Sequence, residues 1–449
     1  MDTPSAAPIT HRRVLRAALP MVISSMTVPL LGAVDTGVVG QIGSAAPIGA
    51  VALGGVVLTG IYWIFGFLRL GTAGLAAQAH GAGDADESAL ILTRALLIAA
   101  AGGLILVVAQ SPLIWAVLAM ARGSDGVEAL TEVYLALRIL SAPAMIANFA
   151  LTGWLIAVER TGAVLAMQLI ISAVNAALSI WFVQGLGWGV AGVAVATVIA
   201  EVTGLLVGLW LCRSAFHGSA AWRRPARVFE ARKLRRLAGV NADILVRSMC
   251  IQAVLIGFVA IGATFGDVTV AANQILFIFL TVSVSAMDGF AFTAEALVGQ
   301  AFGAGQPRAV RRAAVLTSLW GAGVCAAMAG TFATLGPVII DVMTTAEDVR
   351  AAAKADIVWM VLALLAGGPG WMLDGIFIGA TRTASMRNAM LLSCLGCALS
   401  LGPALLLLGS DGLWAAFLVF FALRGVTLAI RYPALEAASR SAQTRRPAA

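Results

Sequence analysis

Apolar segments of about 20 residues follow one another along almost the whole of this 449-residue chain. A helix of that length crosses the roughly 30 Å hydrocarbon core of a bilayer. We interpret the segments as helices because a spanning segment must satisfy its backbone hydrogen bonds internally, and because the alternation of barrel strands is absent. The twelve predicted spans are 17–39, 48–71, 91–119, 131–157, 163–185, 188–212, 241–263, 271–299, 312–337, 353–379, 388–408 and 411–432.

The composition supports an all-α integral membrane protein with no separate soluble domain. Hydrophobic residues make up 60% of the chain and charged residues 11%. Soluble domains carry about 25% charged residues, so the solvent of most of this chain is lipid. The three histidines, and the lack of HExxH, Walker A and GxSxG sequences, give no sign of an enzyme or of a cofactor.

Basic residues are concentrated on one side of the predicted spans. Eight lie in the segment 213–240, whereas the connections on the other side contain mainly Arg122, Arg350 and Lys354. Under the positive-inside rule this asymmetry places both termini and the 213–240 segment in the cytoplasm, as an even number of spans requires. We expect a multi-pass protein of the inner (plasma) membrane and no nucleic-acid partner.

An internal repeat divides the chain into two halves. GLAAQAHGAGD (74–84) matches ALVGQAFGAGQ (296–306), and GWLIAVERT (153–161) matches GIFIGATRT (375–383), both with the same shift in numbering. The shift covers six spans, so equivalent helices cross the membrane in the same direction, as in transporters with parallel repeats. We expect a six-helix lobe at 1–212, a basic cytoplasmic linker at 213–240 and a second lobe at 241–449.

Asp35 lies near the middle of the first predicted span, within LLGAVDTGVVG. A carboxylate at the centre of a membrane helix costs about 2.5 to 3.5 kcal/mol on insertion scales, so it normally faces a cavity, a partner or a cation. A carboxyl group that binds and releases protons is what a proton-coupled exporter needs. Asn175 and Ser179, one helical turn apart, could face it, although polar residues in spans most often hydrogen-bond between helices.

Further ionisable and polar residues lie within the predicted spans. Asp288 and Glu295 are seven residues apart, which places them on one face of a helix where they could line a water-filled path. A direct transport role and structural ion pairing both remain open for these acids. The candidates for the substrate path are Arg69, Asp288, Glu295, Asp374 and Asn148.

Three sequences carry a family resemblance: PLLGAVDTGVVG in the first span, FLRLGTAGLAAQAHGAG in the second and MDGFAFTAEALVGQAFGAG in the eighth. With LDGIFIGATRT and AGVAVATVIAE, the chain resembles the DinF-like branch of the multidrug and toxic compound extrusion (MATE) family over essentially its whole length. The resemblance implies two six-helix lobes in a V around a central cavity. It also implies export of amphipathic, often cationic compounds in exchange for H⁺ or Na⁺, by a protein whose further partner is membrane lipid.

The resemblance also assigns a cation-coupling site. Asp35 matches the acid of the family's first helix, and Asn175, Ser179 and Thr197 correspond to polar residues of its fifth and sixth helices. Many DinF-like members carry an aspartate where this chain has Ser179. A site with a single carboxylate favours H⁺ over Na⁺, since Na⁺ usually requires several hard oxygen ligands.

Two other functions remain as alternatives. A related superfamily includes flippases for lipid-linked intermediates, whose polyanionic substrates favour a cluster of buried cations. We identify only Arg69 and Arg247 as clear buried cations in the spans, which argues against a flippase. A non-transporting receptor or scaffold would move no solute.

Overall fold

The computed structural model describes residues 8–42, 44–121 and 124–444. Within these ranges the chain consists of helices joined by short turns and contains no strand, which confirms the all-α fold class. Arg122 lies outside the described residues.

The first half of the chain forms helices of 12 to 30 residues. A π-helical turn, Trp181–Gly185, extends the eighth of them. In chain order they are α1 (His11–Gly40), α2 (Ala45–Ile64), α3 (Gly66–Gly81), α4 (Ala85–Val108), α5 (Gln110–Ala121), α6 (Asp125–Ile139), α7 (Ala142–Ala157), α8 (Thr161–Ile180) and α9 (Gly189–Leu211).

Two short helices follow, and then six helices of 26 to 37 residues. Single 3₁₀ turns occur at Ala221–Arg223 and Ala263–Phe265. The helices are α10 (Arg213–His217), α11 (Pro225–Val228), α12 (Ala231–Gly262), α13 (Asp267–Gly303), α14 (Pro307–Met343), α15 (Glu347–Gly379), α16 (Thr383–Leu408) and α17 (Asp411–Thr444).

The predicted spans correspond to these helices. Among the described residues, ten helical segments are long and apolar enough to cross a membrane, and the pair α6 and α7 forms an eleventh candidate. The first predicted span, 17–39, lies within the 30-residue helix α1. The chain is therefore a multi-pass membrane protein.

The predicted span 131–157 is wrong in one respect, because it is not a continuous helix. Helices α6 and α7 meet at an angle of 52°. Pro143, in the first turn of α7, has no N–H to donate and its ring crowds the carbonyl four residues earlier, which interrupts the helix. At the break, the carbonyl of Arg138 accepts hydrogen bonds from the Ser141 backbone N–H (3.1 Å), the Ser141 hydroxyl (2.8 Å) and the Tyr62 hydroxyl (3.3 Å).

The internal repeat is visible in unusual backbone conformations. Among the described residues, the two non-glycine positions with positive φ are Glu159 (57°) and Thr381 (51°), which the repeat makes equivalent. Gly83 (75°) and Gly305 (68°) form a second pair of equivalent positions. The two halves therefore use the same turns at equivalent helix ends.

Equivalent glycines also allow equivalent helix contacts. A Cβ atom on Gly153 of α7 would lie 2.3 Å from the carbonyl oxygen of Arg69 on α3. A Cβ on Gly375 of α15 would lie 2.3 Å from the carbonyl oxygen of Ala291 on α13. The repeat aligns Gly153 with Gly375 and Arg69 with Ala291. Small residues that bring backbones together are typical of membrane helix packing.

The described chain forms two compact units. One contains the described residues up to Val22, Gly81–Gly83 and the chain from Gly239 onward. The other contains Ile23–His80 and Asp84–Ala238. Helix α1 thus contributes its first part to one unit and its remainder, which includes Asp35, to the other.

The segment that follows α9 packs against the start of α4, within the second of these units. Arg94 donates hydrogen bonds to the backbone carbonyls of Val228 (2.9 Å) and Arg227 (2.7 Å). Glu87 forms ion pairs with Arg94 (3.1 Å) and Lys233 (3.3 Å). Charges on α4 and on this segment therefore complement each other.

Candidate functional site

The structure brings Asp35 together with the three neutral residues that the sequence grouped with it. Asp35 is 7% exposed, and its Oδ1 accepts a hydrogen bond from the Ser179 hydroxyl at 3.4 Å. Asn175 and Thr197 also lie beside its carboxyl group. We call these four residues the N-terminal centre. Their common role in ion coupling stays a prediction.

Local helix geometry explains how the N-terminal centre forms. Asn175 and Ser179 are four residues apart on α8 and so share one face of it. The Thr197 hydroxyl on α9 donates to the Val193 carbonyl at 2.9 Å, which leaves its lone pair free for the Asn175 amide at 2.8 Å. The π-helical turn begins two residues after Ser179, and such turns are frequent at functional sites.

A buried ion pair lies next to the N-terminal centre. Arg138 Nη1 is 3.0 Å from Glu201 Oε1, and both side chains are nearly buried. Arg138 is also close enough to Asp35 to interact with its charge. Asn148, a predicted substrate-path residue, donates its amide to the Glu201 carbonyl at 3.1 Å. Arg138 lies in the last turn of α6, directly before the helix break.

Several buried polar atoms of this region have no hydrogen-bond partner within the described part of the chain. A buried polar atom that lacks a partner costs about 1 to 3 kcal/mol. The region is therefore suited to take up a further polar group, such as a proton, a cation or water. The atoms are Asn175 Oδ1, Asn148 Oδ1, Arg138 Nε and Glu201 Oε2.

A second charged group, which we call the C-terminal centre, surrounds Asp374 in the other compact unit. Asp374 Oδ2 accepts hydrogen bonds from Arg247 Nε at 3.1 Å, from Arg247 Nη2 and from Arg424 Nη2. The three residues come from α15, α12 and α17, and Arg424 is only 2% exposed. Asp288 on α13 is close enough to interact with the charge of Arg424. Asp374 thus takes part in buried ion pairs, and its role in transport stays a prediction.

The expectation that Arg69 and Arg247 are the only clear buried cations is wrong. Arg94 and Arg424 are also buried and Arg138 is nearly so, and each of the three pairs with a carboxylate. The signal was available in the sequence, since YLALRILSAP and FFALRGVTLA each place one arginine in an apolar segment. An arginine is as costly there as a carboxylate, so both residues should have been recognised as members of ion pairs.

The remaining candidates occupy several positions. Arg69 is half-buried on α3, and its carbonyl lies against Gly153. Asp288 is half-buried on α13, and Glu295, two turns later on the same helix, is fully buried. A role for Arg69, Asp288 and Glu295 in a substrate path stays a prediction.

Comparison with known proteins gives consistent matches over most of the chain. The MatE family model matches residues 20–181 and 244–403, one segment in each half of the repeat. The chain is 37% identical over 418 residues to the DNA damage-inducible protein F of Escherichia coli (strain K12), covering 92% of this chain and 90% of that protein. It is 26% identical over 445 residues to a probable multidrug resistance protein NorM of Pseudomonas aeruginosa, covering 95% and 88%.

The fold agrees with solved structures. The MATE transporter VcmN of Vibrio cholerae in its bent form superposes with a TM-score of 0.87 at 16% identity, covering 96% of this chain and 98% of that one. At this level of identity the match concerns the fold alone.

Proposed function

This chain belongs to the MatE family of membrane transporters, and from that premise we propose that it is a secondary active antiporter. It exports amphipathic, cationic organic compounds in exchange for H⁺. It lies in the inner membrane, with both termini and the 213–240 segment in the cytoplasm. The relatives named as multidrug resistance proteins support the class of substrate.

The observation that carries the proposal is a buried carboxylate held by neutral groups. Asp35 is contacted by Asn175, Ser179 and Thr197, and Asn175 Oδ1 lacks a donor among the described residues. A protonated carboxyl group is itself a donor and would supply a partner to a nearby acceptor. Asp35 is the one carboxylate of the N-terminal centre, because the neighbouring Glu201 is paired with Arg138. A site of this kind favours H⁺ over Na⁺, which needs several hard oxygen ligands.

Charge balance explains how proton and cationic substrate would exclude each other. With Asp35 ionised, Asp35 and Glu201 carry two negative charges against the one positive charge of Arg138. Protonation of Asp35 brings the net charge of these three side chains to zero. A unit charge about 8 Å away at an effective dielectric constant of about 20 contributes roughly 2 kcal/mol, or about 30-fold in affinity. The proton therefore weakens the binding of a cation, and the cation weakens that of the proton by the same factor.

The linkage gives a pH test in purified protein. Protonation of Asp35 at low pH should raise the Kd of a fluorescent cationic dye, by up to about tenfold per pH unit for one linked proton. Asp35→Asn should remove this pH dependence. If the Kd of the dye for Asp35→Asn changed with pH as it does for the wild type, Asp35 would not be the linked group.

Transport is tested in proteoliposomes with an imposed pH gradient or an imposed Na⁺ gradient. We expect dye movement with the pH gradient alone, and its loss in Asp35→Asn. Glu132→Gln, which neutralises an exposed acid of α6, is the matched control and should transport normally. Movement driven only by Na⁺ would reverse the ion assignment, and no movement with either gradient would refute the antiporter.

A lipid flippase is less consistent with the site. Arg138 pairs with Glu201, and Arg247 and Arg424 share Asp374, so these arginines are partly compensated and do not form the free cationic cluster that a polyanionic headgroup favours. Scrambling of labelled lipid by the purified protein would support the flippase instead.

A further inference from the structure

A cavity of about 930 Å³ lies in the compact unit that contains Gly239–Ala449, at the ends of the helices that carry the described termini. We call it the arginine cavity, because five arginines and one glutamate line it. Its walls come from the starts of α1 and α14, the end of α13 and the end of α17. The charged lining residues are Arg13, Arg308, Arg311, Arg312, Arg440 and Glu436.

Two of the five arginines of the arginine cavity hydrogen-bond to a neighbouring side chain. Arg440 pairs with Glu436 at 2.9 Å, and Arg13 Nη2 donates to Gln300 Oε1 at 3.3 Å. Within residues 8–42, 44–121 and 124–444, no carboxylate forms an ion pair with Arg308, Arg311 or Arg312. Three like charges within five residues repel one another, and an anion between them would relieve this repulsion.

The equivalent position in the first half has the opposite charge. There Asp84 accepts a hydrogen bond from the Glu87 backbone N–H at 2.8 Å, and Asp86 lies in the first turn of α4. In the repeat, Gln306 replaces Asp84 and Arg308 replaces Asp86. The first turn of α14 contains no acidic residue.

The partners of these helix starts differ as well. On α4, Asp86 accepts a hydrogen bond from the Ser219 hydroxyl at 2.6 Å, and Glu87 pairs with Lys233 at 3.3 Å. The segment that joins the two halves thus neutralises the start of α4. For Arg308, Arg311 and Arg312, no such segment lies among the described residues, which leaves these arginines available to an anion from another molecule.

We propose that the arginine cavity binds a phosphate-bearing anion, such as an anionic phospholipid headgroup or a soluble phosphate compound. Guanidinium groups bind phosphate oxygens through paired, charge-assisted hydrogen bonds, and several arginines can share one phosphate. The cavity lies where the predicted topology puts the cytoplasmic headgroups, which attract basic clusters next to membrane helices. A bound anion would link the start of α1 to α14 and α17.

The proposal is tested by titrating the purified full-length chain in detergent with soluble probes. Dioctanoyl-phosphatidylglycerol tests the lipid headgroup, inorganic pyrophosphate tests phosphate alone, and dioctanoyl-phosphatidylcholine is the zwitterionic control. Each arginine near an anionic surface contributes about fivefold to affinity, so Arg308→Gln/Arg311→Gln/Arg312→Gln should weaken binding on the order of 100-fold.

The matched control removes the same charge elsewhere on the same side of the membrane. Arg224, Arg232 and Arg235 are exposed and lie outside the arginine cavity. Their triple replacement by glutamine should leave affinity within about twofold, since a specific site senses only its own contacts. If the cavity variant is unstable, Arg312→Gln alone should still weaken binding about fivefold.

Each outcome is decisive for the site. Saturable binding of phosphatidylglycerol but not pyrophosphate would assign a lipid site, and binding of pyrophosphate as well would assign phosphate recognition without an acyl chain. Equal binding of phosphatidylcholine, or equal losses in the cavity and control variants, would overturn the proposal.

Discussion

The two polar centres contrast in how each holds its buried carboxylate. In the N-terminal centre, neutral groups contact Asp35 and the nearest cation, Arg138, already pairs with Glu201. In the C-terminal centre, Asp374 receives hydrogen bonds from two arginines, Arg247 and Arg424. Neutralising Asp35 would leave Arg138 with its partner Glu201, whereas neutralising Asp374 would leave two buried cations with less compensation.

This contrast shows that the two halves share equivalent helices but carry different charged residues. The repeat aligns Asp35 with Gly257 in the second half, and it aligns Asp374 with Thr152 in the first. By comparison, the close glycine contacts and the positive-φ turns occur in both halves. The halves therefore share a scaffold, and each has its own distribution of charge.

The largest expected effect separates the two carboxylates by stability. Asp374→Asn removes the counter-charge of Arg247 and Arg424, and breaking a buried ion pair in this way costs about 3 to 5 kcal/mol. Asp35→Asn replaces a carboxylate among neutral partners and should cost less than about 1 kcal/mol. Thermal unfolding of the purified variants, followed by tryptophan fluorescence, measures both.

A second variant sharpens this test. Asp374→Asn/Arg424→Gln removes one of the two excess cations and should recover part of the lost stability, because the penalty comes from uncompensated charge. Equal destabilisation by Asp35→Asn and Asp374→Asn would remove the distinction between the two centres.

The next prediction concerns what the halves share. Gly153→Ala and Gly375→Ala each drive a Cβ into a backbone carbonyl, and overpacking of this kind costs about 1 to 3 kcal/mol. Because the two contacts are equivalent, the two losses should agree within about 0.5 kcal/mol. Chemical unfolding in detergent provides the comparison.

Gly330 provides the control for this pair. It lies on α14 with open space where a Cβ would stand, so Gly330→Ala should be neutral or stabilising by up to about 1 kcal/mol. If only one of Gly153→Ala and Gly375→Ala lost stability, the equivalent helix contacts would not be equally close-packed in the two halves.

The sequence predicted the scaffold better than the charges. Apolar length identified the spans, and the repeat identified the paired glycines, because both depend on local sequence. The break in the fourth span needed closer attention to Pro143, whose effect on the helix is local. The partners of Arg138 and Arg424 come from helices far away in the chain, so their burial was visible in the sequence but their pairing was not.

The smallest expected effect concerns the contact between Ser179 and Asp35 in the N-terminal centre. Ser179 donates a long hydrogen bond of 3.4 Å to Asp35, so Ser179→Ala should change stability by less than about 1 kcal/mol. Ser179→Asp instead adds a second carboxylate beside the first, and two close carboxylates ionise together only with a cation between them. Dye transport by this variant should therefore become responsive to a Na⁺ gradient, while Ser179→Ala keeps the proton dependence of the wild type. If Ser179→Asp responds to pH alone, the number of carboxylates does not select the ion, and the contrast between the centres would concern stability only.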